Sequence, residues 1–113
     1  MMTIFHNSRC SYSRKALYKV EAICAAKHLL MQIIDYQLTL PQLRSLQKKL
    51  GKSAAQIIRI NDPKYRNLKL SEAKNTVILQ AIVDYPHLLQ RPIVVYQNRA
   101  VMAKPADLVE TLF

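Results

Sequence analysis

The sequence predicts an α/β fold, a mixed four-stranded sheet flanked by helices. A βαβ pattern at one end, a strand pair at the other and an all-helical stretch between them carry that prediction. The short apolar run Met2-Thr3-Ile4-Phe5 is followed by a segment of helical spacing, Ala16 to Ala26, and then by Met31-Gln32-Ile33-Ile34-Asp35-Tyr36. Two strands joined by a helical crossover pair in parallel. Ile93-Val94-Val95-Tyr96 and Ala100-Val101-Met102 are separated by the two-residue turn candidate Gln97-Asn98. That spacing reads as an antiparallel return.

In chain order, the first strand is expected at about Met2 to His6. The first helix runs from about Ser11–Ser13 to His28, with Ala16, Leu17, Val20, Ile23 and Cys24 on a 3.6-residue period. Met31 to Tyr36 is the second strand. Thr39 is placed to cap a helix that continues through Pro41 to Leu50, with Gly51 just past its end. Ser53 caps a short helix, Ala54 to Ile58, and Asn61-Asp62-Pro63 breaks it. Ser71-Glu72 opens another helix, with Val77, Ile78, Ala81 and Ile82 on one face, ending near Tyr85-Pro86. After the two strands, Pro105 starts a closing helix, Ala106 to Leu112. This order is a thioredoxin-like layout with helices on both faces of the sheet. The helical stretch, about residues 40–68, is an insertion in a single domain of residues 1–113.

Composition narrows the function classes. Half of the 113 residues are hydrophobic, which argues against disorder. One glycine excludes both a Walker loop and a dinucleotide fingerprint. No apolar run approaches membrane-spanning length, and Met1 to Arg9 lacks the apolar core of a signal peptide, so a cytoplasmic location is expected. The formal charge is +10. The excess gathers at Arg44, Lys48, Lys49, Lys52, Arg59, Lys64, Arg66 and Lys69, a stretch whose only acid is Asp62. Such a field attracts anions or acidic proteins. With Tyr65 the only aromatic in it, nucleic acid is not an expected partner. The cysteines and the histidines His6, His28 and His87 are scattered without ligand spacing, so no metal is expected. No further apolar stripe asks for a second copy, and a monomer is the expectation.

The most informative segment is His6-Asn7-Ser8-Arg9-Cys10-Ser11-Tyr12-Ser13-Arg14. It puts Cys10 between a strand end and a helix start, where free N–H groups gather. The helix dipole there favours thiolate over thiol, and Arg9 and Arg14 push the same way. Cys10 is therefore the candidate reactive residue, in an anion-binding loop. Cys24 lies among apolar residues and reads as an inert thiol. Fourteen positions along one helix separate the two cysteines by roughly 20 Å, against the ~7 Å limit for a disulfide. They are not expected to bridge. In this layout the end of the first strand lies beside the residue before the third, which is Arg91, followed by Pro92, a position where proline is often cis. Arg59 closes the apolar piece Ile57-Ile58-Arg59-Ile60. It reads equally as the partner of a carboxylate or as a side chain reaching into an anion site. Ser13 reads as a donor to the thiolate or as part of the helix start.

The chain resembles the thioredoxin-fold arsenate reductases that use glutathione and glutaredoxin. The matching pieces are His6-Asn7-x-Arg9-Cys10-x-x-Ser13-Arg14, Ile57-Ile58-Arg59, Asp62-Pro63-x-Tyr65, Tyr85 to Val95, Ala100-Val101 and Lys104-Pro105, in the family's order. The resemblance implies that the Cys10 thiolate attacks arsenate to form a covalent adduct. It also implies that His6 helps to lower the thiol's pKa, and that Arg59 and Arg91 hold the oxyanion. Lys104 stands where the family has a third arginine; it supplies charge without the planar fork. Ala103 precedes it, and Ser8 takes the place of a common loop proline. The motif is Cys-x-x-Ser, so an external thiol must finish the cycle. The resemblance names glutathione, with glutaredoxin as partner and no bound cofactor. Two other readings fit the sequence. One is a redox-responsive transcription regulator that binds RNA polymerase. The other is a general glutathione-linked thiol reductase without arsenate specificity.

Overall fold

In a computed structural model, residues 1–113 are all described. They form two compact units: residues 1–35 with 91–113, and residues 36–90. The first unit holds the sheet. Strand β1 (Met2–Phe5) pairs in parallel with β2 (Met31–Ile34), Met2 facing Met31 and Phe5 facing Ile34. On its other side β1 pairs antiparallel with β3 (Ile93–Tyr96), which pairs antiparallel with β4 (Arg99–Met102). The strand order is β2-β1-β3-β4. The strands are shorter than expected: β1 stops at Phe5 and β2 at Ile34. The chain leaves the ladder there, although His6 N–H still donates to the Ile34 carbonyl at 2.8 Å. Gln97 closes the β3–β4 turn with φ +56°.

Helix α1 (Ser11–Lys27) crosses between β1 and β2 and ends at His28 in the left-handed conformation. Its buried stripe is Ser13, Ala16, Val20 and Cys24, while Leu17 and Ile23 pack at the margin. Ala16, Val20 and Cys24 meet Met2 and Ile4 of β1, Val94 of β3, and Ala103, Val109 and Leu112 in one core. The period-2 alternation of β1 and the 3.6 period of α1 make that packing possible. The closing segment Ala106–Leu112 is a 3₁₀ helix rather than an α-helix. It still buries Val109 and Leu112, because one apolar side every three residues is enough to meet α1.

The second unit is helical. Helix α2 (Leu40–Leu50) opens on a capping box: Thr39 Oγ1 accepts from Gln42 N–H, and Gln42 Oε1 accepts from Thr39 N–H at 2.9 Å. Gly51 ends it at φ +66°. Helices α3 (Ala54–Ile57) and α4 (Pro63–Asn67) are short; Asp62 caps α4 by accepting from Lys64 N–H at 2.9 Å. The expected helix start at Ser71-Glu72 is corrected. Leu70–Glu72 is a single 3₁₀ turn behind Lys69 at φ +54°, and helix α5 (Asn75–Asp84) begins behind Lys74. Val77 was expected on the apolar face of that helix but is half exposed. Ile78, Leu79, Ala81 and Ile82 take the buried arc instead, leaving Val77 at its rim. No helix is long and apolar enough to cross a membrane.

Candidate active site

Cys10 is the N-cap residue of α1, in an extended conformation. The loop before it is closed by its own polar groups. Asn7 Oδ1 accepts from Arg9 N–H at 3.1 Å, and the Asn7 carbonyl accepts from Cys10 N–H at 3.0 Å. The Cys10 carbonyl then takes the first helical bond, from Arg14 N–H at 3.0 Å. A residue in this position stands beside the unpaired N–H groups of the first turn and the positive end of the helix dipole. No acidic side chain sits in that turn to offset the charge. Cys10 is half-buried and unbridged. It combines an anion-attracting helix end with access for a reactant.

Ser13 is wholly buried within α1. Its Oγ lies 2.6 Å from His6 Nδ1 and accepts from Asn7 N–H at 2.9 Å. A hydroxyl has two lone pairs and one hydrogen. If His6 carries its proton on Nδ1, both lone pairs are filled and the hydroxyl hydrogen is left for a further acceptor. If the proton is on Nε2, the hydroxyl donates to Nδ1. In either case Ser13 fastens the strand-end histidine to the loop. The capping position itself belongs to Cys10, so Ser13 is not the cap of the helix.

Arg91 precedes Pro92 across a cis peptide bond. Its Nη1 donates to the His6 carbonyl at 3.3 Å and to the Ile34 carbonyl at 3.0 Å. A guanidinium is thereby anchored at the ends of β1 and β2, on the strand that leads into the Cys10 loop. Arg14 Nη1 reaches back to the Ser8 carbonyl at 2.9 Å, and Arg9 is exposed. Lys104 is exposed, with its Nζ 4.5 Å from the centroid of the Tyr12 ring. The first unit thus carries Cys10, His6, Ser13, Arg9, Arg14, Arg91, Pro92 and Lys104.

Arg59 stands in the second unit, half-buried. Its N–H donates to the Leu88 carbonyl at 2.8 Å, beside the bridge between Ile58 and Leu89. The Asp62 carboxyl is held below its ordinary range, first by the Lys64 N–H, then by His87, whose Nε2 lies 3.4 Å from Oδ2, and by the Arg59 charge. Arg59 therefore acts electrostatically on a carboxylate. A groove of about 440 Å³ in this unit is lined by Leu68, Leu70, Val77 and Tyr85 among others, and contains none of the expected site residues.

Cys24 is buried, and burial pushes its thiol above the ordinary value. It is a core residue. Two residues of the site were not read from the sequence. Asn7 organises the loop; an Asn two residues before an N–H that must turn is the recognisable signal. Tyr12, an exposed aromatic in the first turn of α1, engages Lys104 across the sequence, and only the fold shows that pairing.

The ArsC family model matches residues 5–112. The chain is 36% identical over 112 residues to the arsenate reductase of Neisseria meningitidis, covering 96% of this chain and 95% of that one. It is 32% identical to arsenate reductase ArsI2 of Synechocystis, covering 96% of this chain and 79% of that one. The solved structure of an arsenate reductase from Vibrio cholerae superposes with a TM-score of 0.86 at 27% identity, covering 99% of this chain and 97% of that one. The fold is thioredoxin-like, and its match to the family runs from the end of β1 to the closing 3₁₀ helix: the chain belongs to the ArsC family.

Proposed function

We propose that this protein is an oxidoreductase that reduces arsenate, with Cys10 as the nucleophile and glutathione as the external reductant. The observation that carries the reading is the place of Cys10: the N-cap of a 17-residue helix, half-buried, with no second cysteine in reach. The reductase names of relatives that match nearly end to end support the substrate.

In this scheme the Cys10 thiolate attacks arsenic(V). A sulfur–arsenic bond forms and one arsenate oxygen leaves as water after taking up protons. Glutathione then attacks the Cys10 sulfur of the adduct. A disulfide forms between Cys10 and glutathione, the sulfur–arsenic bond breaks, and its electron pair stays on arsenic, which departs as arsenite. The two thiols supply the two electrons. Glutaredoxin removes the glutathione and restores the thiol. Cys10 needs this outside help because Cys24 is in the core and the third residue after Cys10 is Ser13. The Arg91 guanidinium and the helix end oppose the charge of the oxyanion. Arg9, Arg14 and Lys104 are the further cations of the scheme. Such a cycle requires a pool of reduced glutathione, and cytosol provides one.

The test is a coupled assay with arsenate, glutathione, glutaredoxin and glutathione reductase, followed by NADPH consumption. Turnover is expected for the native protein and none for Cys10→Ser; turnover that survives the substitution overturns the assignment. One observation favours a second reading. Lys104, in place of the family's third arginine, supplies charge without the planar fork that grips an oxyanion, which leaves room for a general glutathione-linked thiol reductase. A glutathionylated peptide that is turned over far faster than arsenate identifies that activity instead.

A further inference from the structure

We infer that Tyr12 is a specificity-determining positioning residue that competes with the oxyanion for Lys104. This rests on the reading of Cys10 as the nucleophile of an anion site and adds to it a residue that acts through Lys104. Two links tie Lys104 to the elements that carry Cys10. The Ala103 N–H donates to the Pro92 carbonyl at 3.1 Å, and Arg91, next to Pro92, holds the His6 carbonyl. From the other side the Lys104 ammonium sits 4.5 Å from the centroid of the Tyr12 ring. Tyr12 belongs to the first turn of the helix that Cys10 caps.

Lys104 makes no ion pair within the chain. Its charge is stabilised by the face of the ring, an attraction that operates within about 6 Å. An ammonium seated on the Tyr12 ring is committed to that ring, and an oxyanion at the helix end is a second claim on the same charge. To meet an oxyanion at the helix end the ammonium must leave the ring. Lysine makes this possible: its four-carbon stem is flexible and its charge compact, whereas the planar guanidinium of arginine is pre-organised. The ring therefore sets a tax on anion binding equal to the cation–π attraction. At an exposed site such an attraction corresponds to about a two- to fivefold change in affinity. Tyr12 is 44% exposed, so solvent and ligand both reach the pair.

The experiment measures arsenate binding to the Cys10→Ser background by calorimetry, together with steady-state turnover in the Cys10 protein. Tyr12→Leu is expected to tighten arsenate binding and lower KM by about two- to fivefold with little change in kcat. Tyr12→Phe keeps the ring and is expected to behave as the native protein. In the presence of Lys104→Ala, Tyr12→Leu is expected to have no effect. Weaker binding in Tyr12→Leu makes the ring a positive element of the site and overturns the inference. So does an effect of Tyr12→Leu that persists without Lys104. In those two outcomes native binding and turnover remain and the proposed reductase activity stands. If arsenate neither binds nor is turned over by the native protein, both the inference and that activity are overturned. Native circular dichroism of each variant separates these results from misfolding.

Discussion

Ser13 is the residue whose environment is most tightly specified. It is fully buried, and its hydroxyl joins the His6 ring to the Asn7 backbone. Replacement by alanine leaves a buried ring nitrogen and a loop N–H without their partner, and an orphaned group of this kind costs about 1–3 kcal/mol. Urea denaturation of Ser13→Ala is expected to show that loss, together with slower reaction of Cys10 with an anionic thiol reagent as the loop loosens. At Cys24 burial raises the thiol pKa. A raised folded value means that its contribution to stability is fully present below the unfolded thiol pKa, about 8.5, and is lost as pH rises through the folded value. Stability measured at pH 7 and pH 10 is expected to fall less for Cys24→Ala than for the native chain. Cys10 and its flanking arginines were legible in the sequence because helix-end electrostatics depend on near neighbours alone. The bond from His6 to Ser13 was not legible: it spans seven residues and depends on how the Asn7 turn folds the loop back.

At the level of elements, two positions with similar positive φ carry opposite residues. Gly51 ends α2 at φ +66°, and Gln97 closes the β3–β4 turn at φ +56°. A residue with a Cβ is strained there by about 1–2 kcal/mol, while glycine loses more entropy on folding. A Cβ at Gly51 would meet nothing within 4 Å, so Gly51→Ala isolates the backbone strain. It is expected to destabilise by about 1 kcal/mol. Gln97→Gly is expected to stabilise by about 0.5–1 kcal/mol. Thermal melts of both variants test the pair, and the same sign for both contradicts the account. The start of α5 shows what periodicity leaves open. Nearly every residue from Val77 to Val83 is apolar, so the stripe is too wide for spacing to choose a face. Packing chose Leu79 and left Val77 at the rim. The left-handed Lys69 and the 3₁₀ turn after it moved the helix start past Ser71-Glu72.

For the molecule as a whole, a formal charge of +10 on 113 residues means strong self-repulsion at low ionic strength. Salt screens it over a Debye length of about 10 Å at 0.1 M. The melting temperature is expected to rise between 10 and 200 mM sodium chloride; a flat or falling trend is inconsistent with self-repulsion as a destabilising term. Sequence alone determined the order of the strands and of the longer helices, the parallel βαβ start, the antiparallel return and the family. These follow from local periods, turn residues and motifs that near neighbours establish. It also marked Cys10, because a strand end, a helix start and two arginines all lie within nine residues. Tertiary structure decided which distant groups meet. It put the Arg91 guanidinium on the His6 and Ile34 carbonyls, which lie 85 and 57 residues away. It put Arg59 in electrostatic reach of Asp62, and Lys104 on the ring of Tyr12. Each of these is a choice among many possible partners for a long cationic side chain. That choice is made by where the sheet register and the chain turns deliver the backbone, which no local pattern encodes.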